Sequence, residues 1–252
     1  MKKSIFAIFM LLLALPCVAQ ANYDALKAKA DKSYAEERYD SAALAYAEIV
    51  KAGESSTVYY NLGNCYYRMD SIANAILWYE RALLLSPGDS DIRFNLQMAR
   101  SKTIDKIVPE EEIFFSRWYH SLLNMMSVNG WVWTGIVFFV LFLVGLALYF
   151  VGKSISLRKC GFYGAVVLLM VAVVCNVFSW QQKERQQNRN SAVVMTGSVV
   201  VKSTPNDTGT DLFVLHAGTT MTILDKGMKD WCQIRLSDGK EGWIPNSEIE
   251  II

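Results

Sequence analysis

Two uncharged apolar runs constrain this chain more than any other feature. One extends from Trp131 to Val151 and the other from Gly161 to Trp180. A helix of about 20 residues spans the ~30 Å hydrocarbon core of a bilayer, and each run is long enough to do so. Such a helix also closes its own backbone hydrogen bonds, which lipid cannot satisfy. No polar stripe breaks either run, so neither reads as a helix of a soluble core. Trp131, Trp133, Tyr149 and Phe150 flank the first run and Trp180 ends the second, as rings at a membrane interface do. The sequence therefore predicts a transmembrane hairpin, with helices at 131–151 and 161–180 and a turn at 152–160.

Charge sets the expected orientation. The turn carries Lys153, Arg158 and Lys159 and no acid, which places it in the cytoplasm and both flanks on the outer side. Lys183, Arg185 and Arg189 follow the second run against Glu184 and reduce the contrast. The N-terminus agrees with this orientation. Lys2 and Lys3 precede an apolar run from Ile5 to Leu15, and Ala19-Gln20-Ala21 forms an A-x-A cleavage pattern. Residues 1–21 read as a secretory signal peptide, and Pro16 before Cys17 argues against lipoprotein processing.

Outside the hairpin the length allows two modest domains. Residues 22–112 carry 11 basic and 15 acidic side chains, and residues 192–252 carry 5 and 8. Neither has the basic footprint of a nucleic-acid partner. Residues 22–107 are rich in Ala, Tyr and Leu at helical spacing. Tyr59, Leu62, Gly63 and Tyr66 are followed by Ala75, Tyr79, Ala82 and Pro87, a pattern that closely resembles the tetratricopeptide repeat. Gly63 and Ala75 are small where two helices cross, and tyrosines fill the space around them. A second copy lies upstream, with Tyr39, Asp40, Ala42 and Tyr46 at a constant offset of 33 (75 − 42). Its first helix, Tyr23 to Glu36, matches poorly, as a terminal repeat can. Asp91 to Arg100 reads as the first helix of a third unit.

Such stacks bind through the groove lined by the first helix of each repeat. The resemblance puts Tyr60, Asn61, Asn64, Tyr67 and Arg68 in that groove, with Asn95 from the next unit and Lys27, Asp31 and Tyr34 from the first. Amides can bond the backbone of an extended peptide and rings can pack its side chains. The alternative is that Asn61 and Asn64 brace neighbouring helices. Phe94 and Met98 stand where a carboxylate clamp would need cations, so capture of a C-terminal carboxylate is not expected.

Residues 108–130 form a linker. Its Phe114, Phe115, Trp118, Leu122, Leu123, Met125 and Met126 recur near helical spacing. An amphipathic helix in the membrane interface and a helix packed on the repeats both fit. Residues 181–191 read as a polar linker. From residue 192 to 252 the chain turns β-branched and glycine-rich, with strand patterns at 193–201, 221–224, 231–235 and 241–244. About five strands make a small barrel. Leu215-His-Ala-Gly218, Asp230-Trp231 and Gly239-Lys-Glu-Gly-Trp-Ile244 resemble the bacterial SH3 family. That resemblance implies an exposed Trp231 near a ligand groove and a core Trp243.

No H-E-x-x-H, Cys-x-x-Cys or phosphate-cradling glycine loop occurs, and the two histidines, His120 and His216, lie in different segments. No enzyme, catalytic residue, metal or cofactor is expected. An oxidising compartment permits a Cys65–Cys232 bridge but nothing requires it.

The expected fold is thus a multidomain membrane protein: an all-α repeat stack, a two-helix transmembrane hairpin and a small all-β SH3-like barrel. The order of segments, with Tyr60-Asn-Leu-Gly-Asn64 and Phe94-Asn-Leu96, resembles the BatE-type proteins of bacterial aerotolerance operons. The resemblance implies a two-pass protein of the bacterial inner membrane, with both domains periplasmic. It also implies partners among membrane or periplasmic proteins, von Willebrand A-domain proteins included, and a part in tolerance of oxygen stress. Two readings stay open. One is a scaffold that docks proteins on the repeat groove, and the other is a wall-associated binder whose SH3 domain holds peptidoglycan peptides.

Overall fold

The structure, a computed structural model, describes residues 23–111 and 113–252. The expected signal peptide at 1–21 lies outside the described residues. The chain forms two compact units. Of the described residues, one contains 23–82 with 90–108 and 190–252, and the other contains 83–89 with 109–189.

The first unit opens with helix α1 over 23–35. Then follow α2 (Tyr39–Ala52), α3 (Ser56–Arg68), α4 (Ile72–Leu85) and α5 (Ser90–Ser101). The repeat is visible in its turns. Among the described residues, Glu37 and Asp70 are the non-glycine residues with positive φ, at 59° and 58°. Around the first, Glu37 N–H donates to Tyr34 O, Arg38 N–H to Ser33 O and Ala42 N–H to Arg38 O. Around the second, Asp70 N–H donates to Tyr67 O, Ser71 N–H to Tyr66 O and Ala75 N–H to Ser71 O. Every atom pair of the first turn recurs in the second at the same offset (70 − 37, again 33). These bonds hold two ordinary residues in a left-handed conformation that L side chains rarely adopt.

Packing repeats with the same offset. Ala42 and Ala75 are fully buried, and Tyr46 and Tyr79 nearly so. The Tyr46 hydroxyl donates to Asp31 Oδ1 at 2.6 Å, and the Tyr79 hydroxyl to Asn64 Oδ1 at 2.7 Å. A Cβ on Gly63 would sit 2.6 Å from Cδ1 of Tyr79, so glycine is what admits that ring.

The β part of this unit contains β1 (Ser191–Val194), β2 (Ser198–Lys202), β3 (Asp211–His216), β4 (Thr220–Asp225), β5 (Trp231–Arg235), β6 (Glu241–Pro245) and β7 (Ile249–Ile251). They form one antiparallel sheet in the order β3-β2-β6-β5-β4-β1-β7. Seven strands replace the expected five or so. The run at 193–201 breaks at 195–197, and 211–216 is a strand of its own. Irregularities at Val201/Lys202 and Ile223/Asp225 bend the sheet. Its inner face is filled by Ala192, Val194, Val201, Ile223, Ile234 and Ile244, among others. Gly218 and Gly239, at φ +88° and +82°, close turns that other residues would strain.

The exit from α5 fastens the barrel to the helices. Asp105 accepts three bonds: from the His216 N–H at 2.7 Å, the Thr219 hydroxyl at 2.6 Å and the His216 ring Nδ1 at 2.7 Å. Ile107 packs against the barrel core. Arg81 of α4 lies over the Trp78 ring at 4.7 Å and donates to Glu250 at 2.9 Å. A Cβ on Gly218 would meet Thr103 at 2.9 Å and Ile76 at 3.0 Å, so barrel and helices touch without a gap.

The second unit holds α6 (Phe114–Leu123), α7 (Val128–Val151) and α8 (Ile155–Gln187). Of the 24 residues of α7, three are buried: Trp131, Gly135 and Gly145. Helices α7 and α8 are both long and apolar enough to cross a membrane, and most of the apolar surface of α7 is not covered by the rest of the protein. Ser127 accepts from Gly130 N–H at the start of α7, and Ser154 from Leu157 N–H at the start of α8. The two helices meet at backbone distance. A Cβ on Gly161 would lie 2.8 Å from Gly145 O and 2.8 Å from Tyr149 N. Helix α8 begins within the stretch read as the turn, at residue 155. It continues to residue 187 through most of the stretch read as a polar linker. Gln182 explains that continuation. Its Nε2 donates to Leu123 O at 2.5 Å and Met126 O at 2.7 Å, so the added turns of α8 carry a bond to the end of α6. Tyr119, Leu122 and Leu123 of α6 pack with Trp131, Cys175 and Phe178. Phe114, Phe115 and Trp118 face outward, 60–75% exposed.

Candidate peptide-binding groove

Helices α1, α3 and α5 line an open cavity of about 330 Å³ in the first unit. Tyr34, Tyr60, Asn64, Tyr67, Arg68, Tyr79, Phe94, Asn95 and Met98 form its walls. Of the nine residues expected in the groove, Tyr34, Tyr60, Asn64, Tyr67, Arg68 and Asn95 therefore come together, and Lys27, Asp31 and Asn61 do not. The Asn61 side chain lies by the Tyr46 hydroxyl, outside the cavity lining.

The floor is a hydrogen-bond chain. Asn95 Nδ2 donates to the Tyr60 hydroxyl at 2.9 Å and to Asn64 Oδ1 at 2.9 Å, and the same Oδ1 accepts from Tyr79. Asn64 thus braces α4 and α5 through its oxygen. Burial pushes the Tyr79 phenol well above its ordinary pKa, and neighbouring tyrosines add to the shift, so it remains a donor at neutral pH. In the unit before it, burial alone would raise the Asp31 carboxyl. Bonds from Lys27 and Tyr46 outweigh it and hold the group below the usual range.

The rim supplies charge and apolar surface. Arg68 is exposed, lies near the Tyr34 hydroxyl and stands 5.9 Å from the Tyr39 ring centre. Lys102 Nζ stands 4.5 Å above the Tyr67 ring and 3.2 Å from Asp70. Phe94 is 63% exposed. It stands one repeat after Tyr60, as Met98 does after Asn64, both at an offset of 34 (94 − 60 and 98 − 64). That spacing marks both as groove positions. A cavity with one cation, amides, phenols and two exposed apolar side chains can hold an extended peptide by backbone bonds and side-chain packing.

In the barrel, Trp231 is half-buried at the start of β5, opposite Pro245. Trp243 is half-buried as well, opposite Gln233, and so departs from its expected core position. The strand period explains the difference: Gly242 and Ile244 point inward, so the residue between them points out. A Cβ on Gly242 would lie 2.4 Å from Val201 Cγ1, where β6 crosses β2.

Cys65 and Cys232 are unbridged and sit in separate cores, one among the helices and one in the barrel. Burial pushes the Cys65 thiol up to about 12 and the Cys232 thiol up to about 11, which leaves both protonated and unreactive at neutral pH.

The family model of the tetratricopeptide repeat matches residues 56–89, which are α3, α4 and the turn that follows. The family model of the bacterial SH3 domain matches residues 197–250. No curated protein matches the chain. The chain is therefore similar, in its repeat and its barrel, to two classes of binding module. Such modules ordinarily work by interaction rather than by catalysis.

Proposed function

We propose that this protein is a non-enzymatic, membrane-anchored scaffold whose repeat groove holds an extended segment of a partner protein. The observation that carries the reading is the open cavity between α1, α3 and α5, with Arg68, Tyr67 and Phe94 unburied at its rim. Helices α7 and α8 are long and apolar enough to cross a bilayer. In this reading residues 1–21 direct export, the Lys153–Lys159 turn stays in the cytoplasm, and repeats and barrel lie outside. The segment order and its resemblance to the BatE-type proteins support a place in a bacterial inner-membrane complex with von Willebrand A-domain partners, in the service of oxygen tolerance.

The test separates groove contact from bracing. Tyr67→Ala with Arg68→Ala removes a ring and a charge from the rim and leaves the Asn64 network intact. Capture of a von Willebrand A-domain protein from the same membranes by the full-length protein is expected to weaken about tenfold, since ~1.4 kcal/mol is a decade. Membrane retention and the circular-dichroism melt should not change. Lys29→Ala, an exposed change on α1, is the control. Equal capture by the double variant and wild type would remove the groove from the mechanism. The wall-binding reading rests on the SH3 similarity and the half-buried Trp231. It predicts that Trp231→Ala, and not the groove variant, lowers retention on purified cell-wall sacculi.

A further inference from the structure

The closed end of the α7/α8 hairpin carries a second cavity, also about 330 Å³, lined by Tyr149, Ile155, Arg158, Lys159, Phe162 and Tyr163. Its chemistry is two-sided. Arg158 and Lys159 supply fixed positive charge, and Lys153 adds another in the same turn. Phe162, Tyr163 and Ile155 supply rings and an aliphatic side chain that the protein leaves exposed. Arg158 is anchored: its Nε donates to Tyr149 O at 3.2 Å, and its guanidinium carbon lies 5.8 Å from the Tyr149 ring centre. That geometry holds the head in place and leaves its two terminal nitrogens as donors. Among the described residues no carboxylate pairs with Lys153, Arg158 or Lys159. The sequence holds no Asp or Glu between Glu112 and Glu184. Three exposed cations without an acid make a local positive field that favours an anion.

We propose that this cavity binds the phosphate headgroup of an anionic phospholipid, with Arg158 and Lys159 on the phosphate and Phe162 and Tyr163 against the glycerol and upper acyl chain. The proposal rests on the membrane-spanning reading of α7 and α8. A phosphodiester suits the site because a guanidinium bonds two of its oxygens side by side while a lysine adds a point charge. A lipid suits it better than free phosphate because rings and an aliphatic chain complete the lining and continue into the exposed flank of the hairpin. Basic pockets at the cytoplasmic ends of membrane helices bind anionic headgroups in this way. The lipid would fill a gap in the packing of the helix pair and neutralise its turn.

The experiment uses the full-length protein in zwitterionic micelles, with bound lipid counted by native mass spectrometry. Short-chain phosphatidylglycerol should be retained and short-chain phosphatidylcholine lost. Arg158→Gln with Lys159→Gln should weaken phosphatidylglycerol binding roughly thirtyfold, the effect of two charges near an anionic partner. The charge-matched pair Lys183→Gln with Arg189→Gln, at the far end of α8, should bind as wild type does. Equal retention by the Arg158/Lys159 variant overturns the site. Displacement of the lipid by millimolar inorganic phosphate overturns the lipid assignment in favour of a soluble phosphate, and displacement by hexaglutamate does so in favour of an acidic segment. Alkaline carbonate extraction of cell membranes tests the spanning reading separately. Release of the protein would sink that reading whatever the lipid counts show.

Discussion

The chain brings helices together over small residues in two places, and the two contacts solve different problems. In the repeat, Gly63 makes room for the Tyr79 ring, whose hydroxyl is satisfied by Asn64. In the hairpin, Gly145, Gly161 and Ala165 let the backbones meet, with a Cβ on Gly161 only 2.8 Å from two main-chain atoms. Water accounts for the difference. Around the repeat, association is driven by removing apolar surface from water, so a large ring at the contact adds to the gain. In the membrane-spanning reading proposed above, the surroundings of the hairpin are as apolar as the helices, and close backbone packing is what remains to hold the pair. A ring can yield a few tenths of an ångström. A carbonyl inside a helix cannot.

Substitutions at the two contacts should therefore differ in size. Gly161→Leu places a branched side chain against the α7 main chain and should cost about 3 kcal/mol, the upper range of overpacking. The α7/α8 pair should separate, read as loss of the high-temperature helical transition in micelles. A variant that melts with wild type would show that the glycine contact does not hold the hairpin.

Ala75→Leu adds three carbons at a fully buried site of the repeat, where the neighbours are side chains rather than a facing main chain. About 2 kcal/mol is expected, seen as a lower first transition of the full-length protein by calorimetry. An unchanged midpoint would break the comparison from the other side, since the repeat crossing would then be no tighter than its surroundings.

The smallest effect belongs to the Asp105 joint, where the two parts of the first unit meet through polar groups. Burial would raise this carboxyl. Bonds from Thr219 and from the His216 backbone and ring outweigh it and hold the group below its ordinary 3.8. A depressed carboxylate stabilises the fold above its unfolded pKa and loses that contribution as pH falls through the folded one. The joint should be intact at neutral pH and weaken below about pH 4. Asp105→Asn keeps the shape and removes the charge, at about 1–2 kcal/mol near neutrality. Its melting temperature should be flatter than wild type across the acid range. Parallel acid profiles for the two proteins would rule out Asp105 as the titrating latch.

Much of the repeat was legible because its physics is local. The spacing of Gly63, Ala75 and Tyr79 is one helix pair's geometry, and the offset of 33 reappears bond for bond in the turns at Glu37 and Asp70. The cavity lining was legible to the same degree: Tyr60, Asn64, Tyr67, Arg68 and Asn95 follow from repeat phase. Asn61 did not, because its amide can face the groove or the Tyr46 hydroxyl, and the neighbouring helix decides between them. Trp243 failed for a similar reason. A motif names the residue, but the inward side of β6 is set by which neighbour fits against Val201, and that is Gly242.

The sequence by itself determined the membrane-length helices, the repeat with its period and the β character of the tail. Each follows from hydrophobic patterning within one element, or from a small residue at a fixed spacing. Only the tertiary structure decided that Asn64 uses its oxygen as a brace, that α8 continues to Gln187 to reach α6, and that the barrel is fastened through Asp105, Arg81 and Gly218. Those are contacts between residues 15 to 169 positions apart. Their partners are chosen by packing and hydrogen-bond satisfaction across elements, which no local pattern records.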